Sequence, residues 1–479
     1  MKNKVLSGLF WKVMENGGVQ GVQFVVSIVL ARLLSPDEYG IISLITIFIT
    51  IANVFVQSGF NTALIQKREA DEVDFSSVFY LSLFVAACLY ALLFLASPAI
   101  GGFYDKPELA PVLRVLSLIL FFGAFTSIQT AVVSRRMQFQ KLFFSSLGAV
   151  AASGFLGIVC AAMGAGVWAL VVQQLSYQLI SGVILWFTVR WRPGLLFSWE
   201  RVKVLFSFGW KLLCSSLIDT VYNNVYGLII GKIYNSEMLA HYDKGNQFPQ
   251  LLVNNINGAI QSVMLPALST SQDERGRMKA MVRRSITTSS FLVVPMMAGL
   301  MAVAEPMVSL LLTDKWLPCV PFLRLMCLSY AFWPIHTANL QAINAMGRSD
   351  VFLKLEIVKK IIGIAALFIS IPFGIFVMVA LKPAVSLIST FVNAWPNQKL
   401  LGYSLKEQWA DLLPSFLLSA VMGAAVYGLS FLGFGAFATL CIQVAAGMIF
   451  YAGLAWLFKI ETFRYLTDTL RELTKKTRR

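Results

Sequence analysis

The chain has 479 residues, of which 57% are hydrophobic and only 13% charged, and its mean hydropathy is +0.72. Soluble domains carry about 25% charged residues, so this sequence lacks the polar surface to cover itself and lipid must do so. The net charge of +15 does not point to nucleic acid, because no basic face interleaved with aromatics lies outside the hydrophobic runs.

Apolar stretches long enough to cross a bilayer, about 20 residues each, fall at 9–31, 41–64, 75–97, 110–132, 143–163 and 167–189. A second series falls at 206–231, 238–267, 285–312, 320–345, 351–371 and 375–394, and a further pair at 411–432 and 435–458. The pattern predicts an all-α polytopic membrane protein with about fourteen transmembrane helices. Lys2 and Lys4 precede the first run, which continues through Gly21 and Val25 to Arg32 without a small-residue cleavage motif. It is expected to be a retained span and not a signal peptide. After Glu461, Phe463, Leu466, Leu470 and Leu473 alternate with bases, as in a short helix lying on anionic lipid.

The first two series repeat one another at an offset of about 200 to 210 residues. Trp11-Lys12 opens one and Trp210-Lys211 the other, and Ala110-Pro111-Val112-Leu113-Arg114 reads like Val320-Pro321-Phe322-Leu323-Arg324. Each copy holds an even number of spans, so the copies enter the membrane in the same sense, as parallel repeats. The expected organisation is an N-terminal six-helix lobe (1–200), a C-terminal six-helix lobe (201–400), an additional helix pair (401–460) and a basic tail (461–479). About 27 of the 39 basic residues fall in one set of connections and tails, against Arg32, Lys106, Lys232 and Lys315 in the other. The positive-inside rule then puts both termini in the cytoplasm.

Polar residues inside spans are costly and mark function or helix–helix contact. Asn16, Gln20 and Gln23 share one face of the first span; Ser215, Asp219, Tyr222, Asn223 and Tyr226 share one face of the seventh. The stripes match across the repeat, which favours a shared aqueous cavity over bundle glue. The eighth span is the most polar, with Lys244, Asn246, Gln247, Gln250, Asn254, Asn255 and Asn257. Amides both donate and accept and so suit sugar hydroxyls. Lys12 and Lys211 hold the same place in both copies, near the cytoplasmic ends of their spans: either they snorkel to headgroups, or they converge on an anion such as a diphosphate. Asp219 is the one carboxylate placed near mid-membrane and the first candidate for ion coupling, with an intrabundle bond as the alternative. Arg114 and Arg324, near outer ends, are expected to pack against loop carboxylates or carbonyls, and Glu356 to pair with Lys359 or Lys360. Lys382 and His336 stand as isolated signals.

Catalytic chemistry has little foothold. The six cysteines lie in or beside apolar runs without a CxxC pair, and His241 and His336 are the only histidines, so no zinc site assembles from the usual ligands. No phosphate-binding GxxxxGK[ST] or HExxH motif occurs, and no cofactor is called for. A membrane glycosyltransferase or polymerase would need a sizeable catalytic loop, and a scaffold would not need matched polar stripes.

The runs Ala31-Arg32-Leu33-Leu34-Ser35-Pro36-Asp37-Glu38-Tyr39-Gly40 and Gln57-Ser58-Gly59-Phe60-Asn61-Thr62-Ala63-Leu64-Ile65-Gln66, with Pro266-Ala267-Leu268-Ser269, Asp314-Lys315-Trp316 and Ala345-Met346-Gly347-Arg348-Ser349-Asp350, carry a resemblance to a known family. The chain resembles the Wzx-type oligosaccharide flippases, the polysaccharide transporter family of the multidrug/oligosaccharidyl-lipid/polysaccharide exporter superfamily. The resemblance implies two six-helix lobes around a central cavity plus two extra helices. It implies a polyprenyl-diphosphate-linked oligosaccharide as substrate, flipped to the periplasmic leaflet of a bacterial inner membrane for O-antigen, exopolysaccharide or capsule assembly. Lys12, Lys211, Lys244 and the eighth-span amides would fill the polar, cationic cavity, a proton or sodium ion would drive transport, and glycan-assembly proteins are conceivable partners. A peptidoglycan lipid-precursor flippase and a cation-coupled drug antiporter are the alternatives.

Overall fold

The computed structural model describes residues 2–57, 64, 67, 70–189, 191–271 and 274–477. The regular structure of these residues is helical, and a helix or a broken helix falls at each of the predicted spans. The first series becomes α1 (Lys2–Leu33), α2 (Pro36–Gln57), α3 (Glu72–Phe103), α4 (Leu109–Leu116), α5 (Ile119–Arg135), α6 (Phe139–Ala162) and α7 (Val167–Val189). The second becomes α8 (Trp199–Ile233), α9 (Ser236–Ser269), α10 (Arg275–Ala302), α11 (Ala304–Leu312), α12 (Val320–Tyr330), α13 (Trp333–Ala345), α14 (Ser349–Ser370) and α15 (Ile375–Leu401). The extra pair is α16 (Leu405–Gly428) and α17 (Ala436–Leu457), and the tail is α18 (Glu461–Thr477).

Among the described residues, ten helical segments are long and apolar enough to cross a membrane, and α8 makes an eleventh if its 55° bend between Ser207 and Gly209 lies within one span. The protein is therefore a multi-pass membrane protein. The helices α9 and α14 coincide with predicted spans but are too polar for that test, α9 through its amides and α14 through Lys354, Glu356, Lys359 and Lys360.

Helix ends follow local chemistry. Pro36 opens α2, where its missing N–H costs nothing, and Ser35 and Glu38 cap each other: Ser35 N–H donates to Glu38 Oε2 at 2.7 Å and Glu38 N–H to Ser35 Oγ at 3.4 Å. Asp71 and Asp74 form the same box at the head of α3, at 2.9 and 3.2 Å. Ser404 and Glu407 repeat it at α16. Gly402, at φ +66°, ends α15 in the left-handed region that a side chain resists. The fourth span is broken at Ser117–Leu118; Ser117 Oγ donates to the Leu113 carbonyl at 2.6 Å, a back-bond that bends helices.

The helices gather into two compact units, Met1–Ala240 and His241–Arg479. In the first, α1 packs on α6, α6 on α7, and α8 on α2 and α3. Small residues allow the close approaches: a Cβ on Gly154 would stand 2.4 Å from Val26, and one on Gly231 2.3 Å from Leu44. In the second, α10 packs on α16, α12 and α14 on α15, and α17 on α16 and α11. The additional pair is thus fastened to the second unit. Tyr451 on α17 donates to the Phe291 carbonyl at 3.1 Å, and Arg283 forks onto Asp411 at 2.6 and 2.8 Å. Large apolar side chains such as Leu95 (77% exposed) and Ile449 (75%) face outward, as a lipid-contacting surface requires.

Candidate functional site

One polar cluster within the second unit surrounds the N-terminal part of α9. Gly245 makes it: a Cβ there would fall 2.8 Å from the Leu323 amide nitrogen and 2.9 Å from the Cys319 carbonyl, so only glycine lets α9 press against the α12 backbone. That approach buries the neighbouring Lys244, which is 6% exposed. Its ammonium donates to Gln247 Oε1 at 3.2 Å and lies 5.7 Å from the Trp316 ring centre. Lys382 of α15 donates to the Tyr242 hydroxyl and sits 4.8 Å above the Tyr242 ring. Tyr330 donates to Asn246 Oδ1 at 3.0 Å, and Asn246 to Gln250 at 3.2 Å.

A second string of buried polar groups runs from this region along α13, α15 and α16. His336 contacts Ser386 Oγ at 3.3 Å and Asn393 at 3.0 Å. Asn397 donates to Asn339 Oδ1 at 2.7 Å, Asn339 to Gln408 Oε1 at 3.0 Å, and Tyr403 to Asp411 at 2.7 Å. Buried polar groups in a membrane protein need such partners, and this string ties α16 to the repeat.

The predicted site residues divide by environment. The side chains of Lys12 and Asn16 lie outside the described residues. On α1, Gln20 is half-buried and Gln23 exposed; on α8, Lys211, Asp219 and Asn223 are exposed and Tyr222 half-buried. On α9, Gln247 is half-buried, Asn254 exposed and Asn257 buried. Neither amide atom of Asn257 has a hydrogen-bond partner among the described residues. Within the described residues the main neighbour of α1 is α6 and that of α8 is α2, so each stripe sits on a helix with its own packing face.

Other candidates have structural partners. Arg114 donates to Ser97 Oγ at 2.8 Å and stacks over Phe94; Arg324 donates to the Met301 carbonyl at 3.3 Å and approaches Glu305 at 3.8 Å. Glu356 pairs with Lys359 at 2.5 Å. Arg135 holds the carbonyls of Leu64 and Lys67, both at 2.6 Å. The Ser35-to-Gly40 turn packs tightly as well. A Cβ on Gly40 would stand 1.9 Å from the Ser236 carbonyl oxygen, and Asp37 accepts from both Ser236 Oγ and Lys106 Nζ, the latter at 2.8 Å. The role of Lys382 escapes a sequence reading because Tyr242 lies 140 positions away.

Comparison with known proteins places the chain. Residues 29–321, more than half of it, match the family described as polysaccharide biosynthesis protein. The teichuronic acid biosynthesis protein TuaB of Bacillus subtilis (strain 168) is 25% identical over 459 residues, covering 94% of each chain. The succinoglycan biosynthesis transport protein ExoT of Rhizobium meliloti (strain 1021) is 26% identical over 324 residues, 67% of this chain and 65% of that one. Among solved structures, an inward closed conformation of the lipid II flippase MurJ superposes with a TM-score of 0.74, covering 98% of this chain and 100% of that one at 14% identity, a likeness of fold. With the matched region and the relatives in agreement, the chain belongs to the polysaccharide biosynthesis protein family of membrane proteins.

Proposed function

We propose that this chain is an inner-membrane flippase that carries polyprenyl-diphosphate-linked oligosaccharide from the cytoplasmic to the periplasmic leaflet by alternating access. The sugar-diphosphate head passes through a wet cavity while the prenyl tail stays in lipid. The observation that carries this reading is a coincidence: the family membership falls together with Lys211, Asp219 and Asn223 standing exposed on a helix of membrane-spanning length. Such side chains are too costly to turn toward hydrocarbon and so mark water-filled space. Relatives named for teichuronic acid biosynthesis and succinoglycan transport favour an oligosaccharide carrier over a drug antiporter, a peptidoglycan-precursor flippase or an enzyme.

In this reading Lys12 and Lys211 receive the diphosphate at the cytoplasmic end, because ammonium groups bond phosphate oxygens strongly. Asn16, Gln20, Gln23, Tyr222, Asn223, Lys244, Gln247, Asn254 and Asn257 line the sugar path. Asp219 couples transport to a proton or sodium ion. The chain crosses the membrane fourteen times with both termini cytoplasmic, in two repeat-related lobes and an additional pair, and works beside glycan-assembly proteins. The test is export of surface glycan by a strain carrying Lys12→Ala with Lys211→Ala at normal protein level. Export falls by about tenfold or more if two charge-assisted contacts are lost; wild-type export overturns the assignment.

A further inference from the structure

We propose that Asp37 is the keystone of an outer latch, a contact through which the second repeat closes on the first and which opens in each transport cycle. The proposal rests on the flippase reading for the cycle and on geometry for the place. The latch lies entirely within the first compact unit, which holds the first repeat together with α8 and the start of α9. In that reading the connections from α3 to α4 and from α8 to α9 are base-poor and so face outward. Three glycines bring the repeats together there. A Cβ on Gly40 of α2 would overlap the Ser236 carbonyl, and Cβ atoms on Gly227 and Gly231 of α8 would stand 2.7 Å from Ile47 and 2.3 Å from Leu44 of α2. Polar groups then cross between the repeats. Asp37 accepts from Lys106 Nζ at 2.8 and 2.9 Å within the first repeat, and from Ser236 Oγ in the second. Lys232 of α8 donates back to the Phe103 carbonyl and, at 3.2 Å, to Asp105 Oδ2.

The contact is confined to one end of α8. Tyr226, Gly227, Ile230 and Gly231 are buried, whereas Lys211, Ile218, Asp219 and Val221 are exposed. The burial of α8 thus fades from this end toward its N-terminus, as in a carrier held closed outside and open inside. The chemistry of the contact suits one that breaks. The side chains of Asp37 and Lys106 are 44% and 32% exposed, so water replaces their bonds when the repeats part. An ion pair that exposed adds little stability, and so costs little to open. The glycines present smooth surfaces from which Ile47 and Leu44 withdraw without unlocking. A permanent seam would be expected to bury its charges or to do without them. Asp37 is the keystone because one carboxylate ties the first repeat's Lys106 to the second repeat's Ser236.

The test is a cross-link in the full-length protein in lipid vesicles. Asp37→Cys combined with Ser236→Cys should form a disulfide on oxidation, read by peptide mapping, because the two side chains touch. Movement of a prenyl-diphosphate oligosaccharide across the bilayer should then fall about tenfold or more, and a reductant should restore it. Oxidised wild type, with its six native cysteines, is the control and should be unaffected. Undiminished movement by the fully cross-linked protein overturns the latch. A second measurement needs no transport. Ser236→Cys, at a buried position, should react several-fold faster with a membrane-impermeant maleimide when Asp37→Ala is added. An equal rate overturns the role of Asp37. Faster reaction in that assay, beside a wild-type protein that moves no oligosaccharide, overturns the flippase reading and keeps the latch.

Discussion

Single residues decide where this protein holds charge. Gly245 lets α9 touch the α12 backbone and so buries Lys244; Gly40 lets α2 pass under the Ser236 carbonyl. The sequence run from Ser35 to Gly40 reads only as a family signature, and the close packing of Gly40 becomes visible only with Ser236 in place. Lys382 looks isolated for the same reason, its partner being far along the chain. At the head of α3, Asp71 accepts the Asp74 N–H, which with the nearby Arg201 guanidinium and Lys67 holds its carboxyl below the usual carboxylate range. A depressed value means that the cap contributes fully above the ordinary carboxylate range and is lost as pH falls through the lowered value. Asp71→Ala should therefore cost about 0.5–2 kcal/mol at neutral pH. The gap between wild type and variant should narrow on acidification. Thermal melting in detergent across pH checks this, and a gap that widens toward acid contradicts it.

At the scale of helices, existence was legible and continuity was not. Apolar length marks each span, but nothing in 110–132 announces the break at Ser117, where a serine back-bond replaces the expected proline or glycine. Proline signals mislead in the other direction, since Pro383 and Pro396 lie inside an unbroken α15. The polar stripes are expected from spacing along α1 and α8, whereas the buried network from His336 through Asn397 to Gln408 runs across three helices and could not be read from spacing along one. The fastening of α16 to α10 separates surface from buried electrostatics. Arg283 is 53% exposed and Asp411 13%, and Asp411 also accepts from Tyr403 at 2.7 Å. Arg283→Ala removes one partially exposed charge and should cost about 1 kcal/mol or less. Asp411→Ala strands both a guanidinium and a buried hydroxyl and should cost about 1–3 kcal/mol. Chemical or thermal unfolding of both variants tests the order; equal losses would place the weight on the surface pair.

At the scale of the molecule, the repeat and the basic-residue bias predict a duplicated, parallel membrane bundle, and the family match and the likeness of fold support the coarser part of that reading, a many-helix membrane protein of polysaccharide biosynthesis. The sequence does not show where the chain divides. The repeat boundary lies near residue 200, whereas α8 packs on α2 and α3 within the first compact unit. Hydropathy compares copies, but contacts are made between them, so a repeat boundary and a packing boundary need not coincide. The central claim is movement of a lipid-linked head group across the bilayer. It is tested most directly with purified protein in vesicles that carry a prenyl-diphosphate oligosaccharide in the inner leaflet, reading the fraction that a glycan-binding protein reaches from outside under an imposed proton or sodium gradient. The account predicts gradient-stimulated exposure of the glycan by the wild-type protein and loss of that stimulation in Asp219→Asn. Exposure no faster than in protein-free vesicles under either gradient would contradict it.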